Sequence, residues 1–215
     1  MGGSGVGAVV LAGGRSARMG EDKAWLDWEG QPLLAHTCTL LAGCIEGPVL
    51  VVRSSPDQSL PPLPEDVQVV DDPEPGQGPL LGVAVGLAAV GRVAEVAFVC
   101  ATDLPLLHPA FVRRLVAALR DPGADPVDVA LPVVGGSWHP LAAAYCTGVA
   151  DEAREAVRSG RRRVTDFVAS RRHLLLDESR LLADPAVAAA DPLLHSVLNV
   201  NDPTELARAR AVRRG

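Results

Sequence analysis

The sequence predicts an α/β protein built as a layered, parallel-type sheet with crossover helices. Three observations predict it. Apolar runs alternate with helical patterns through the first 120 residues, as strands and crossover helices do in a layered sheet. The runs are solidly apolar, which marks strands covered on both faces. Gly-rich or acidic segments follow the runs, at the carboxyl edge of the sheet where ligands of such folds gather.

Val6 to Leu11 reads as a buried first strand ending at Gly13 and Gly14, and a loop extends from there to about Gly30. Pro32 opens a helix whose inward positions are Leu33, Leu34, Thr37, Leu40, Leu41 and Cys44, since proline has no N–H to lose in a first turn. Pro48 to Val52 is the second strand. Residues 53–66 are rich in Pro and Ser and read as a surface loop, Val67 to Val70 is a third strand, and Asp71 to Gly78 is a turn-rich connection. Pro79 starts the next helix. Ala94 to Cys100 is a fourth strand, Thr102 to His108 a loop, and Pro109 to Arg120 an amphipathic helix.

The second half is less regular. Asp128 to Val134 and Leu141 to Tyr145 read as strands around a Gly-Gly-Ser-Trp-His-Pro turn, followed by helical Val149 to Arg158. The basic run Arg161 to Arg163 precedes another short helix. Asp202, Pro203 and Glu205 form a capping-box-like start for a helix through Val212. Neither a repeat nor a linker interrupts the chain, so its 215 residues are expected to form a single domain.

Composition narrows the function. The chain is 48% hydrophobic but only 3% aromatic, which predicts an aliphatic core. No apolar run reaches the roughly 18–20 residues needed to span a bilayer, and Met1 to Gly7 lacks a cationic export region, so a cytoplasmic protein without a membrane partner is expected. Cys38, Cys44, Cys100 and Cys146 are scattered, with no Cys-x-x-Cys pair, and are expected to be buried reduced thiols. The net charge of −6 excludes the broad basic face that a nucleic-acid partner needs. Cations are instead local. Arg15, Arg18 and Lys23 lie within nine residues, and Lys23 is the only lysine among 20 cationic residues. Its retention points to a site that uses a compact, mobile ammonium rather than a planar fork.

The segment Leu11-Ala12-Gly13-Gly14-Arg15-Ser16-Ala17-Arg18-Met19-Gly20-Glu21-Asp22-Lys23 leaves a strand through two glycines, which lets backbone N–H groups approach phosphate oxygens. Its cations then meet the charge. It matches neither the P-loop pattern nor a dinucleotide fingerprint. Asp103 follows the fourth strand, where a carboxylate can hold Mg²⁺ together with phosphate oxygens. Asp72 and the Gly76-Gln77-Gly78 turn sit at the end of the third strand, with the means to accept hydrogen bonds from a ribose or base; a plain turn ahead of a Pro-initiated helix accounts for them equally well. Asn199 and Asn201 alternate on one side of an extended segment and suit a flat heterocycle with mixed donors and acceptors, or loop stabilisation. His139, alone on its turn, reads as structural or solvated, and Arg161 to Arg163 as a solvated charge run.

In this order, the Leu11 to Lys23 segment, Asp72 with Gly78-Pro79-Leu80-Leu81-Gly82, Asp103-Leu104-Pro105, Gly160-Arg161-Arg162-Arg163-Val164 and Asn199-Val200-Asn201 resemble the molybdenum cofactor guanylyltransferases over nearly the whole chain. The resemblance implies a Rossmann-like three-layer α/β/α nucleotidyltransferase domain with a mostly parallel sheet, nucleotide-binding over residues 1–120 and acceptor-binding over 121–215. It implies transfer of GMP from GTP to molybdopterin with Mg²⁺ as cofactor, releasing pyrophosphate. A molybdoenzyme or its chaperone would receive the product. Leu11, Ala12, Gly13, Gly14, Lys23, Asp72, Gly78 and Asp103 would then bind nucleotide, Asp103 would also bind the metal, and Asn199 and Asn201 would face the pterin. Arg18, Lys23 and Asp103 would be catalytic. The chain departs from the family at Arg53, where an asparagine is usual, and this departure bears on the choice of base. Cytidylyl transfer to the same pterin, nucleotidyl transfer to another phosphorylated small molecule, and a non-catalytic delivery protein are the rival functions.

Overall fold

The computed structural model describes residues 5–12, 22–121 and 125–214. In chain order the elements are β1 (Gly5–Leu11), β2 (Asp27–Trp28), β3 (Gln31–Pro32), α1 (Leu33–Ala42), β4 (Val49–Arg53), β5 (Gln68–Asp71), α2 (Pro79–Val90) and β6 (Ala94–Ala101). There follow α3 (Pro109–Leu119), β7 (Val129–Val134), β8 (Ser137–Trp138), β9 (Ala142–Cys146), α4 (Ala150–Arg158), α5 (Val164–Ala169), β10 (His173–Leu176), α6 (Glu178–Leu182), α7 (Pro185–Ala190) and α8 (Pro203–Arg214). The central sheet runs β10-β7-β9-β6-β1-β4-β5, with β8 added on β7. The pairs β1/β4, β1/β6, β4/β5 and β7/β10 are parallel, while β9 runs against both its neighbours. The expected mostly parallel three-layer sheet is therefore present.

The solid apolar runs separate cleanly by face, because successive side chains of a strand point to opposite sides. Val6, Ala8 and Val10 of β1, Val49 and Val51 of β4, and Val96, Phe98 and Cys100 of β6 pack on one side with Leu34 and Leu41 of α1 and Phe111 and Leu115 of α3. Val9, Leu11, Leu50, Val52, Ala97 and Val99 pack on the other with α2, α4 and α5. Helix α2 sits unusually close to the sheet: a Cβ on Gly86 would stand 2.3 Å from a methyl of Val9. A third apolar group joins Leu26, Trp28 and Leu33 to Val200 and Ala209, fastening the β2–β3 hairpin to α8.

Several elements go beyond the sequence expectations. The loop expected up to Gly30 contains the β2–β3 hairpin, turned by Glu29 (φ 53°) and Gly30 (φ 85°), two consecutive left-handed residues as a tight hairpin requires. Gly135 and Gly136 (φ 60° and 71°) do the same between β7 and β8, so part of the expected turn is strand. β10, α6 and α7 had no counterpart among the predicted elements. The four cysteines are free thiols, as expected, but only Cys38 and Cys100 are buried while Cys44 and Cys146 are partly exposed; burial pushes Cys38 up to about 12, which keeps it un-ionised and inert at neutral pH. No helix among the described residues is long and apolar enough to cross a membrane.

Candidate active site

The carboxyl ends of β1, β4 and β6 lie side by side, so the segments that leave them converge on one edge. The edge is tightly tied. The Ala12 amide donates to Val52 O at 2.9 Å, and the Thr102 hydroxyl donates to Leu11 O at 3.0 Å. Lys23 begins a one-turn 3₁₀ helix capped by Asp22, whose Oδ1 accepts from the Ala24 amide at 3.0 Å. This directs the ammonium of Lys23 across the edge. Its Nζ donates to Asp103 Oδ2 and to Asn201 Oδ1, both at 2.7 Å.

Residues 80 and 178 positions apart from Lys23 in sequence thus meet at one cation. The Lys23 and Asp103 side chains are each only 13% exposed, so their attraction is far less screened than that of a surface pair. Asp103 is held in turn by its carbonyl, which accepts from the Val200 amide at 2.9 Å. The capping signal at Asp202 operates as expected: its Oδ1 accepts from Thr204 and Glu205 amides, while Glu205 reaches back to the Asn201 amide at 2.6 Å. The start of α8 therefore fixes Asn201, and Asn201 fixes Lys23.

Two adjoining cavities open at this edge, and Asp103 of the junction lines the second. The first, about 340 Å³, is lined by Leu11, Arg53, Ser54, Asp72, Gly78 and Gly82 among others, and its walls are mainly apolar, as suits the faces of a base. The second, about 190 Å³, is lined by Asp103, Trp138, His139, Pro140 and Asn199, among others. Ala101 and Leu141 belong to both linings and divide them. Gly78 is also a close-approach position, since a Cβ there would meet Arg162 O at 3.3 Å. This draws one residue of the basic run against the turn after β5.

Burial raises the Asp72 pKa above its ordinary value; the Glu74 amide, donating to Asp72 Oδ1 at 2.9 Å, opposes the rise and the Glu74 charge adds to it. Arg53, at the cavity rim, pairs through Nε with Asp71, its partner in the β4–β5 register. Arg53 is thus largely engaged by a carboxylate of its own sheet.

Asp103 Oδ1 is buried and has no hydrogen-bond partner among the described residues. Magnesium is usually held by one or two carboxylates plus substrate phosphate oxygens, so this orphaned oxygen at the cavity edge fits such an ion. Among the described residues there is no cluster of three metal-binding side chains. Among the described residues Asp103 alone offers such an oxygen, which a metal would share with the phosphates of a bound substrate.

Of the residues singled out in the sequence, Leu11, Asp72 and Gly78 line the first cavity, Asp103 and Asn199 the second, and Lys23 with Asn201 the junction. Ala12 differs, because its side chain is 3% exposed within the core and only its backbone faces the edge. Gly13, Gly14 and Arg18 lie outside the described residues. Sequence reasoning missed Gln58, Trp138 and the contribution of His139 to the second cavity. The His139 Nε2 lies 3.3 Å from Val134 O, a contact that needs the proton on Nε2.

The carboxyl edge of the open sheet thus carries a largely buried cation–carboxylate pair and two adjoining cavities. Comparison with known proteins gives the class of reaction: the protein is a nucleotidyltransferase. Residues 8–175 match the MobA-like NTP transferase domain, and the chain belongs to that family. It is 36% identical over 181 residues to the probable molybdenum cofactor guanylyltransferase of Mycobacterium avium (82% of this chain, 88% of that protein). It is 40% identical over 163 residues to that of Mycobacterium tuberculosis (74% and 77%). Its fold superposes on molybdopterin-guanine dinucleotide biosynthesis protein A of Archaeoglobus fulgidus with a TM-score of 0.76 at 20% identity, covering 97% and 98% of the two chains. It also superposes on 2-C-methyl-D-erythritol 4-phosphate cytidylyltransferase of Thermus thermophilus, with a TM-score of 0.66 at 20% identity over 100% of both.

Proposed function

We propose that this protein transfers GMP from GTP to molybdopterin, releasing pyrophosphate and forming a guanine dinucleotide form of the cofactor. The names of its relatives support the choice of substrates. The observation that carries the chemistry is the Lys23 ammonium bonded to Asp103 and Asn201, with Asp103 lining one of two cavities that share a wall. GTP would place its guanosine in the cavity of Leu11, Asp72 and Gly78, and the pterin would take the cavity of Trp138 and Asn199.

A terminal phosphate oxygen of the pterin attacks the α-phosphorus in line as the bond to the bridging oxygen of pyrophosphate breaks. That oxygen is already anionic, so no general base is required. Lys23 supplies positive charge where the leaving pyrophosphate gains negative charge, in a partly buried site where it acts strongly. Arg18, from the same segment, would add a second cation. Asp103 would hold Mg²⁺ through Oδ1 while Oδ2 keeps Lys23 in place. A bound magnesium ion would supply charge neutralisation on the phosphates and make phosphorus more electrophilic.

Thermal shift across the four nucleoside triphosphates with Mg²⁺, followed by pyrophosphate release on adding molybdopterin, tests the proposal. GTP is expected to stabilise most and to be consumed. A preference for CTP would replace guanylyl by cytidylyl transfer, and binding without release would leave a delivery protein.

The ionised Asp72 carboxylate accepts hydrogen bonds from the nucleoside. Because burial raises its pKa, protonation begins at higher pH than for an ordinary carboxylate, and nucleotide affinity should fall correspondingly early as pH drops. The KM for GTP against pH is expected to rise on the acid side in the wild type. In Asp72→Asn that added rise should vanish, leaving only the titration of GTP itself.

A further inference from the structure

Gln58 lies in the Pro- and Ser-rich loop after β4, where no chemistry was expected, yet its side chain is fully engaged. Its Nε2 donates to Ala12 O at 2.8 Å and to Asp22 Oδ2 at 2.9 Å. Its Oε1 accepts from the Ser54 amide at 2.8 Å and from the Ser54 hydroxyl at 2.9 Å. A single amide therefore ties three places together: the end of β1, the residue before Lys23, and a residue of the nucleoside cavity.

The tie to Asp22 matters most. Asp22 uses one carboxylate oxygen to cap the turn that begins with Lys23 and offers the other to Gln58. The direction of the Lys23 side chain thus depends on an aspartate that is itself held by Gln58. A second bond from the same turn, Trp25 Nε1 to Ser59 O at 3.1 Å, reaches the same loop but involves an exposed indole and no group of the site.

From this chain of contacts, Ser54 to Gln58 to Asp22 to Lys23, we infer that Gln58 is a positioning residue for the triphosphate. It sets Lys23 relative to the nucleoside cavity, so that a nucleotide seated by its base meets an ammonium already in place. Pre-positioning of this kind strengthens binding because less order has to be created when the ligand arrives. Glutamine suits the position because it donates two hydrogen bonds while accepting two, which neither a carboxylate nor an aliphatic side chain can do.

The inference rests on the nucleotide-binding role proposed above, and the test separates the two. Binding of GTP and of GMP, each with Mg²⁺, is measured by calorimetry. GMP has the base and ribose but not the phosphates that Lys23 holds. Gln58→Leu is expected to weaken GTP about tenfold, as for loss of a charge-assisted hydrogen bond, and GMP by less than about twofold. Gln58→Glu sets two carboxylates against each other and should weaken GTP at least as much. Adding Asp22→Asn to Gln58→Glu restores a hydrogen bond between residues 22 and 58, though not the one to Ala12 O, and should bind GTP several-fold more tightly than Gln58→Glu alone.

Equal losses for GTP and GMP would reduce Gln58 to a structural support and overturn the inference, as would failure of the paired exchange to recover GTP. Unchanged GTP binding in Gln58→Leu would overturn it too. If the wild type instead selects another triphosphate, the choice of base fails, and the same comparison is made with that triphosphate and its monophosphate.

Discussion

Lys23→Ala is expected to lower turnover by about 10²–10³-fold, the usual cost of removing one preorganised group that stabilises transition-state charge. Three features set the size of the effect. The ammonium is 13% exposed, so water cannot replace it at full strength. It bridges Asp103 and Asn201, so its removal also frees the carboxylate proposed to hold the metal. It has no substitute among its neighbours in the Lys23–Trp25 turn, which carries no other cation. Lys23→Arg should recover little, because a planar fork cannot occupy a position where a compact ammonium meets two oxygens at 2.7 Å. Pyrophosphate release measures the loss, and circular dichroism should show the fold retained. Wild-type turnover in a folded Lys23→Ala protein would remove the ammonium from the mechanism.

The largest expected effect on stability comes from a single methyl group. Gly86→Ala would put a Cβ 2.3 Å from one methyl of Val9, 3.0 Å from the other and 3.2 Å from a methyl of Val52. A β-branched valine in a strand has little rotational freedom with which to yield, and both valines are buried in the sheet. Helix α2 must therefore move away from β1 and β4. Overpacking of this kind costs about 1–3 kcal/mol, and contact with a central strand places Gly86 near the upper end. For a chain of this size about 3 kcal/mol corresponds to a fall in Tm of roughly 6–12 °C, measurable by calorimetry. Alanine is the better helix former, so an unchanged or raised Tm would mean that helix propensity outweighs packing here.

These two residues illustrate what the sequence makes legible. Lys23 stands out by composition, as a lone lysine beside a Gly-rich segment after a strand, and Asp103 and Asn201 stand out by their place after buried or extended runs. The bonds among them could not be read, because they close over 80 and 178 positions. Gly86 carries no local signal at all. It sits within an apolar helix, and only the docking of α2 on Val9 explains it. In the strands, length and position were readable but facing was not, since Val9 and Val10 are equally apolar and equally buried on opposite sides.

The missed elements have different causes. Asp177 and Asp184 each cap a helix, and Asp184 is followed by Pro185, so α6 and α7 did carry a sequence signal. β10 is only four residues long and gains its identity from pairing with β7, which is a tertiary contact. Gln58 was hidden for a related reason: a polar residue in a loop of prolines and serines reads as solvated until its three partners are seen.

The single lysine has one more consequence. Reagents and metabolites that acylate or glycate side-chain amines find one such amine in this chain, and it is the group that bridges Asp103 and Asn201. Most proteins spread such damage over many surface lysines, where it is harmless. Here arginine carries the surface charge, so on the proposed role of Lys23 every acylation of a lysine would be an inactivation, and a bound triphosphate would shield the one vulnerable atom.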